Sequence, residues 1–359
     1  MICTASECRA TPCENCRIRT SSDVFEVAIH WLSVASFTPR LPPEHVCSAP
    51  RGTTPEPLSG TEPSRSARLL VVSTAERRAA FTDRVRARAF CHAPGVYDMV
   101  SATVADSFGF DALYMSGYGI SASHLGLPDA GLTSFAEMLD RARTIAGGTQ
   151  TPLIADADTG FGGLVNVRHT VQGYEQAGVA AIQLEDQDFP KKCGHAAGRT
   201  VIPTAEMVRK VAVAVESRTS DDFLIIARTD ARSSLGIDEA IARGQAYAAA
   251  GADVVFVESP ESEDEFARVV AEIDAPVLAN MVEGGFSPVL SADRLAELGV
   301  TIGLFPVTAL LAVTAQLQAV YMRLRADGIG PTPGADMQSV SDLHGLMGLD
   351  EVQQFEERW

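Results

Sequence analysis

Short apolar runs alternate with longer alanine-rich stretches along the chain from Arg77 onward. The runs have the length and residue types of buried strands, whereas the stretches between them have helical spacing and several end at glycine. Eight runs are predicted as strands: Ala89 to His92, Ala112 to Ser116, Pro152 to Asp156, Ala180 to Glu185, Leu224 to Thr229, Val254 to Glu258, Pro276 to Asn280 and Thr301 to Phe305. The predicted helices include Ser134 to Ala146, Val165 to Ala177, Thr204 to Ser217, Asp238 to Ala250, Glu263 to Ile273 and Ala292 to Leu298.

Eight repeats of strand and helix predict an α/β protein, a parallel (β/α)8 TIM barrel whose functional residues lie at the carboxyl ends of the strands. A doubly wound open sheet is the structural alternative. After the eighth strand, Pro306 to Arg325 is a long apolar helix, and Ser339 to Phe355 predicts one or two more. We expect these extra helices to cap the barrel or to dock on a neighbouring subunit. The catalytic domain is therefore expected to span residues 76–359.

The first 75 residues differ in composition from the rest of the chain. They hold eight of the 19 prolines and five of the seven cysteines, with seven arginines balanced by seven acidic residues. We interpret them as a disordered extension, or as a segment that is not translated if synthesis starts at Val71 or Val72. Cys13 and Cys16 form a C-x-x-C pair. No second pair follows at a spacing usual for zinc, so metal binding there is disfavoured.

The formal net charge of the chain is -17, which disfavours nucleic acid and anionic membrane surfaces as partners. No apolar run approaches the roughly 18 residues that a membrane span requires. Unevenly spaced cysteines without a signal peptide indicate a reducing compartment, and we expect a cytoplasmic protein. An anionic substrate would need a local positive site or a metal ion.

A loop with candidate chemistry follows the fourth predicted strand. Between Gln183 and Pro203 the chain changes from apolar residues to acidic ones and then to Pro, Lys, Cys, Gly and His. Cys193 lies between Lys192 and His195, where cations would stabilise a thiolate, as they do around reactive cysteines. An exposed loop with an incidental cysteine is the alternative.

Polar residues also stand where the barrel would place an active site. Asp156 and Asp158 are two apart at the end of the third strand and therefore share a face, and Glu185 ends the fourth strand with the same parity. Converging carboxylates form a site for a hard cation. Other strands end in Tyr114 and Ser116, Arg228, Glu258 and Asn280. Each alone would be explained as a helix cap or an ion-pair partner, but together at one end they predict a site.

From about Arg77 to Glu357 the chain resembles the isocitrate lyase and phosphoenolpyruvate mutase superfamily. Within it, the short-chain branch of 2-methylisocitrate lyase, dimethylmalate lyase, oxaloacetate hydrolase and carboxyphosphonoenolpyruvate mutase is most similar. The motifs that carry the resemblance are YMSGYG with SASHLGLPDAG (114–131), DADTGFGG (156–163), QLEDQ (183–187), PKKCGH (190–195), ARTDAR (227–232) and LANMVEGG (278–285).

The resemblance implies a magnesium ion, which manganese would replace, at the carboxyl end of the barrel. Asp156 would hold the ion directly or through water, with Asp158, Glu185 and Asp129 in support. The substrate would be a small carboxylic acid whose 2-oxo or 2-hydroxy end binds the metal. That end would also contact the backbone and hydroxyl groups of Ser116, Gly117 and Tyr118.

The resemblance assigns further roles around the loop. Arg228 would bind a second substrate carboxylate, and Cys193 would protonate the carbanion left by bond cleavage under a mobile gate. The other candidate residues are Tyr114, Lys192 and His195 for catalysis, and Gly194, Glu258 and Asn280 for substrate binding. The resemblance also implies a homotetramer, a dimer of swapped dimers that exchange the last barrel helix.

The chemistry of carbon–carbon cleavage calls for the same groups. The hydroxyl proton must leave, an oxygen-bound metal must hold the forming oxo acid, and the other fragment needs a proton donor. An unperturbed thiol has a pKa of about 8.5 and is mostly protonated near neutrality, so Cys193 can donate. Lys192 and His195 are expected to stabilise the resulting thiolate. A lid would exclude water until the proton is transferred.

Two departures from the superfamily pattern bear on the substrate. Tyr118 replaces a third glycine usual in 2-methylisocitrate lyases, and Glu283 to Gly285 is a feature of the dimethylmalate, oxaloacetate and carboxyphosphonoenolpyruvate members. The leading hypothesis is a magnesium-dependent lyase that cleaves a small 2-hydroxy di- or tricarboxylate to a 2-oxo acid such as pyruvate. Hydrolysis of oxaloacetate and a phosphorus-transferring mutase are alternatives, and a non-catalytic scaffold that works through the N-terminal cysteines is a third.

Overall fold

Eight parallel strands close into a barrel in which each strand pairs with the next one in the chain and β8 pairs with β1. The computed structural model describes residues 72–331 and 337–359. The strands are β1 Cys91–Val96, β2 Leu113–Met115, β3 Leu153–Asp156, β4 Ala181–Glu185, β5 Leu224–Thr229, β6 Val254–Val257, β7 Val277–Asn280 and β8 Ile302–Phe305. The predicted barrel is confirmed, and the open sheet is excluded.

Helices precede the first strand and follow every strand. They are α1 Thr74–Arg86, α2 Met99–Asp106, α3 Gly117–Ile120, α4 Phe135–Gly148, α5 Leu164–Gln176, α6 Thr204–Ser217, α7 Arg232–Leu235, α8 Ile237–Ala249, α9 Glu263–Glu272, α10 Ala292–Glu297, α11 Thr308–Asp327, α12 Val340–Leu346 and α13 Leu349–Glu356. A single π-helical turn, Ser121–Leu125, continues α3. The short helices after β2 and β5 were not predicted, because they lack room for a periodic pattern.

Serine caps define where several barrel helices begin. The Ser73 side chain caps α1 while the Glu76 carboxylate accepts from the Ser73 backbone amide at 2.8 Å. Ser134 and Glu137 form the same reciprocal pair at α4. Such capping boxes pair amides that a helix terminus leaves without partners. They fix the entry of the chain into both helices.

Apolar side chains fill the barrel below its carboxyl end. The interior cluster joins strand residues such as Ile154, Ile226 and Leu278 to Phe81 and Val85 of α1. Helix α1 therefore closes the amino-terminal end of the barrel. A second cluster packs the surrounding helices against the outside of the strands. The carboxyl end is left as the place where polar residues can face a cavity.

Of the C-terminal helices, α11 reaches the barrel through the half-buried Leu310, which packs against the second cluster. None of the residues of α11, α12 or α13 is buried, although α11 runs for 20 residues and is rich in apolar side chains. The predicted stretch after residue 338 is two helices, separated at Gly348 by a left-handed backbone conformation. Among the described residues, no helix is both long and apolar enough to cross a bilayer.

The first predicted strand is displaced in the structure. It was expected at Ala89 to His92, but it starts at Cys91 and extends to Val96, because Pro94 and Gly95 are accommodated inside the strand. The predicted extension of residues 1–75 lies outside the described residues except for its last four, which already lead into α1.

Candidate active site

A cavity of about 390 Å³ opens at the carboxyl ends of the strands. Most of the predicted site residues line it, although they come from four strands, β2, β3, β5 and β7, and from the segments that follow β2, β4 and β6. Those that line the cavity are Tyr114, Ser116, Tyr118, Asp129, Asp156, Cys193, Gly194, His195, Arg228, Glu258 and Asn280. A cavity of this volume is suited to a small-molecule ligand.

The carboxylates at the end of β3 are held close to the loop that follows β2. Asp156 accepts hydrogen bonds from the backbone amides of Gly117, at 3.2 Å, and Asp158, at 3.0 Å. A Cβ atom on Gly117 would lie 2.5 Å from Asp156 Oδ2 and 3.5 Å from Asp158 Oδ1, so only glycine permits this approach. Asp158 itself has a left-handed backbone with a φ of 48°. Such strain is typical of functional sites.

Lys191 was missed by the sequence analysis, yet it is the buried cation of this cluster. Its Nζ atom lies 2.5 Å from Asp129 Oδ1 and 2.6 Å from Asp158 Oδ1, and its side chain is 3% exposed. Burial alone would lower the pKa of Lys191, but Asp158, Glu185 and Asp129 hold it well above the usual value. Lys191 is therefore a permanent positive charge among the carboxylates.

The carboxylates fit a hard divalent cation. Glu185 Oε1 is buried without a hydrogen-bond partner, and burial raises the pKa of Glu185 well above its usual value. Burial likewise raises the pKa of Asp158 to about 6. Both carboxylates are in an environment where a cation would stabilise their charged forms. Within the described ranges, no group of three or more His, Cys, Asp or Glu side chains is already arranged to hold a metal ion. The ammonium group of Lys191 lies between the carboxylates of Asp129 and Asp158.

Arg228 forms the positive wall of the cavity. Its Nε and Nη2 atoms each donate to Asp230 at 2.9 Å, and Nη2 lies 3.1 Å from Glu258 Oε2. The guanidinium group also stacks over Phe256 at 4.9 Å. Burial would lower the pKa of Arg228, but Asp230, Glu258 and Glu185 raise it well above the usual value. The planar group is thus fixed in orientation, as bidentate binding of a carboxylate requires.

The side chain of Gln183 connects Tyr114 to the acidic cluster. The Tyr114 hydroxyl donates to Gln183 Oε1 at 2.7 Å, and Gln183 Nε2 donates to Asp156 Oδ1 at 3.4 Å. All three side chains are buried, and burial raises the pKa of Tyr114 well above its usual value. Tyr114 is therefore a neutral hydrogen-bonding group. Gln183 was missed, although its position two residues before Glu185 gives it the same parity.

The loop that carries Cys193 is docked over the cavity. The Cys193 amide donates to the Asp129 carbonyl at 3.1 Å, and the Gln187 side chain bonds both backbone groups of Lys192. The thiol is free. Burial raises the pKa of Cys193, although the backbone at His195 and the charge of Arg228 lower it in part. The thiol therefore keeps its proton near neutral pH.

The prediction that Lys192 and His195 place two cations beside this thiol is wrong. Lys192 is exposed, and its Nζ atom donates to the Gly198 carbonyl at 2.8 Å, away from the cavity. His195 does line the cavity, but burial lowers its pKa, so the ring is neutral near pH 7. Its Nδ1 accepts from the Phe286 amide at 3.2 Å, and Nε2 lies 3.5 Å from Glu258 Oε1. Arg228 supplies the positive charge near Cys193 instead.

Carboxylates, a fixed arginine and a half-buried thiol surround one cavity at the carboxyl end of the barrel, which is where enzymes of this fold bind their substrates. The sequence model of the phosphoenolpyruvate phosphomutase family matches residues 81–324. The chain belongs to this family, and the predicted superfamily is confirmed. The predicted class of enzyme, a lyase of this superfamily, is also confirmed by relatives that are themselves lyases.

Two characterised relatives illustrate the similarity. The 2,3-dimethylmalate lyase of Eubacterium barkeri is 48% identical over 74% of this chain and 92% of the relative. The 2-methylisocitrate lyase of Halalkalibacterium halodurans is 37% identical over 76% of this chain and 90% of the relative.

Two solved structures share the fold. Oxaloacetate acetylhydrolase bound to the inhibitor 3,3-difluorooxalacetate superposes with a TM-score of 0.75 and 36% identity, covering 78% of this chain and 96% of that one. Phosphonopyruvate hydrolase bound to oxalate and Mg²⁺ gives a TM-score of 0.71 and 32% identity, covering 79% of this chain and 99% of that one.

The raised pKa of Cys193 predicts how its alkylation depends on pH. Because burial disfavours the thiolate, the rate should keep rising with pH beyond about 8.5, the pKa of an ordinary thiol. Iodoacetamide labelling across a pH series, followed by mass spectrometry of the peptide that contains Cys193, measures this directly. Free cysteine is the control. If the Cys193 rate levels off at a lower pH than the rate of free cysteine, the burial argument is contradicted.

Proposed function

We propose that this protein is a magnesium-dependent carbon–carbon lyase of a small 2-hydroxy dicarboxylate of the dimethylmalate type, and that it releases pyruvate and a second carboxylate. The observation that carries the proposal is the half-buried thiol of Cys193, whose pKa is raised by burial and which lines the same cavity as Arg228 and Asp156. A lyase needs a proton donor, an anion-binding group and a cation site around one substrate. The cavity offers a candidate for each: Cys193, Arg228 and the carboxylates around Asp156.

The apolar side of the cavity supports a methyl-bearing substrate. The lining also includes the apolar residues Phe256, Val282, Leu304, Pro306, Val307 and Leu311. These side chains offer no hydrogen bonds, so they would select alkyl substituents over further charged groups. A short branched dicarboxylate satisfies both sides of the cavity.

The proposed reaction shifts two electron pairs within the substrate. A carboxylate of the acidic cluster accepts the hydroxyl proton, the O–H pair forms the carbonyl, and the pair of the carbon–carbon bond passes to the carbon next to the second carboxylate. Cys193 then gives its proton to that carbon and becomes a thiolate. Arg228 holds the second carboxylate, and its charge lowers the cost of the thiolate.

The acidic cluster is the proposed metal site. Asp156 would hold Mg²⁺, or Mn²⁺ in its place, supported by Asp158, Glu185 and Asp129. When bound, the ion would polarise the oxygen of the forming oxo acid. Phosphonopyruvate hydrolase, a structural neighbour, contains Mg²⁺. Ser116, Gly117 and Tyr118 would surround the oxo-acid end of the substrate, while Gly194, Glu258 and Asn280 would line the other end.

Hydrolysis of oxaloacetate is the second candidate. The likeness to oxaloacetate acetylhydrolase bound to 3,3-difluorooxalacetate favours it specifically. Oxaloacetate is also a small dicarboxylate, and its cleavage breaks a bond in the same position relative to a carboxylate. Product analysis separates the two reactions, because hydrolysis releases oxalate and acetate, whereas the lyase releases a 2-oxo acid.

We further propose that residues 76–359 form the catalytic unit and that residues 1–75 lie outside it. The first barrel helix begins at Thr74, which supports this boundary. We place the enzyme in the cytoplasm, because the mechanism requires Cys193 to stay reduced.

The first prediction of the proposal concerns substrate and metal. With Mg²⁺, the purified protein should convert a dimethylmalate-type acid to pyruvate and a second carboxylate, as followed by NMR over a panel that includes 2-methylisocitrate and oxaloacetate. Excess chelator and Asp156→Ala should each abolish turnover, because only oxygen ligands surround the site. Arg268→Ala, on the exposed face of α9, is the control and should keep full activity. Unchanged turnover in excess chelator would exclude the metal role.

The second prediction concerns the proton donor. Cys193→Ser should retain substrate binding and lose turnover by about 100-fold or more, because a hydroxyl is a much weaker acid than a thiol. Single-turnover product formation on the best acid of the panel measures this. Cys91→Ser, at a buried thiol remote from the cavity, is the matched control. A phosphorus-transferring mutase has no carbon fragment to protonate, so its rate should not depend on this thiol. Comparable rates for Cys193→Ser and wild type would therefore contradict the proposed lyase reaction.

We propose that the protein is a homotetramer, a dimer of swapped dimers. The support is α11, whose apolar side chains stay exposed in the single chain, among them Leu317 at 46%, Tyr321 at 63% and Met322 at 71%. Apolar surface of this extent favours burial against another subunit. The first turn of α11 borders the cavity through Leu311, so exchange of this helix would place a partner next to the site.

Light scattering at micromolar concentration should therefore give about four times the 38.1 kDa mass of the chain. Leu317→Arg should lower that mass, because the charge would be buried at the interface. Val100→Arg, at a 53% exposed position on α2, should leave it unchanged. A stable wild-type monomer would refute the assembly.

A further inference from the structure

A second arginine, Arg199, lies at the far end of the Cys193 loop and takes no part in the reaction proposed above. The two ends of the loop meet at a bridge between Gln187 and Val201, next to which the Asp188 amide donates to the Thr200 carbonyl at 2.9 Å. The Arg199 side chain is 1% exposed. A fully buried arginine on a loop is costly unless its charge is paired.

Arg199 shares its partner with Arg228. Its Nη1 atom donates to Asp230 Oδ1 at 2.7 Å, the same oxygen that accepts from Arg228 Nη2 at 2.9 Å. Burial would raise the pKa of Asp230, but the charges of Arg228 and Arg199 outweigh it, so the carboxyl stays ionised. Asp230 therefore joins the loop to the arginine of the cavity.

Ser259 forms a second connection between the loop and the barrel. Arg199 Nη2 donates to Ser259 Oγ at 3.4 Å, and Ser259 Oγ lies in donating distance, 3.2 Å, of the Gly194 carbonyl beside Cys193. Ser259 has a left-handed backbone with a φ of 61°, and its amide donates to Glu258 Oε1 at 2.8 Å. This conformation turns the hydroxyl group toward the loop.

Gly194 shows how closely the loop rests on the cavity charges. A Cβ atom there would overlap Arg228 Nη2 and lie 2.8 Å from Glu258 Oε2. The loop backbone thus contacts the Arg228–Glu258 ion pair directly. Arg199 fixes one side of the loop and Gly194 the other, and Ser259 contacts both.

We infer that Arg199, acting through Asp230 and Ser259, is a positioning residue that holds the Cys193 loop over the cavity and fixes the orientation of Arg228. The contribution of Arg199 to catalysis rests on the proposed function, but its effect on the position of the loop does not. Loss of Arg199 releases the loop and leaves Asp230 with one cation. Both consequences are measurable without a substrate.

The test is the rate at which iodoacetamide alkylates Cys193 in the full-length chain, read by peptide mass spectrometry. Arg199→Met should raise this rate by about tenfold or more, because the docked loop shields the thiol. Arg199→Lys and Ser259→Ala should raise it less. The sign is diagnostic, because removing a nearby cation without moving the loop would raise the thiol pKa and slow the reaction.

Two controls separate loop release from general destabilisation. Cys91 is buried inside the barrel, so its alkylation in the same sample reports global unfolding. Arg218→Met removes another largely buried arginine, which pairs with Asp253 away from the cavity, and should leave the Cys193 rate unchanged. If Arg199→Met does not fold, the Cys193 alkylation rate of Ser259→Ala tests the inference instead.

The inference is overturned if Cys193 alkylation in the folded variants stays within about twofold of wild type, or if Cys91 accelerates in parallel. On a substrate found by the acid panel, Arg199→Lys should lower kcat/KM while retaining the Mg²⁺ requirement. If no acid is cleaved, the proposed function fails, and the alkylation rates still decide the role of Arg199.

Discussion

Compensation of buried charge at the carboxyl end of the barrel is the constraint on which the site depends. Carboxylates are concentrated there because parallel strands end side by side, and each one would be strongly destabilising without a partner. The partners are Lys191, Arg199 and Arg228, all of them buried. The pKa values of Lys191, Arg228 and Asp230 are shifted mainly by burial and by the neighbouring charges. The geometry of the site is therefore a single electrostatic arrangement.

Two of these three cations, Lys191 and Arg199, belong to the Cys193 loop. Lys191 reaches Asp129 and Asp158 on one side of the cavity, and Arg199 reaches Asp230 on the other. Docking the loop thus supplies a cation to both groups of carboxylates at once, and undocking it leaves Asp129 and Asp158 without Lys191 and Asp230 with Arg228 alone. These ion pairs hold the loop over the cavity. It also places the thiol, which lies between the two cations in sequence, at the centre of the covered region.

The pattern of strands in the sequence predicted the barrel and much of the site. The contacts that the Cys193 loop makes could not be predicted from that pattern. Parity along the strands placed Asp156, Glu185 and Arg228 at one end, because side chains alternate strictly in a strand. A loop has no such period, so nothing in the sequence distinguished the inward Lys191 from the outward Lys192. The pairing of Arg199 with Asp230 joins residues 31 positions apart through tertiary structure alone.

The surroundings of Cys193 favour proton donation over nucleophilic attack. A nucleophilic cysteine needs cations that stabilise its thiolate before the reaction, but Lys192 is directed away and the His195 ring is neutral. Burial instead holds the proton on sulfur, and Arg228 provides enough positive charge to make its release feasible. In the proposed reaction, a substrate carboxylate bound to Arg228 would neutralise part of that charge and so raise the pKa of the thiol further. The thiol would then give its proton only to a strong base such as the carbanion, and Arg228 would still limit the cost of the thiolate that results.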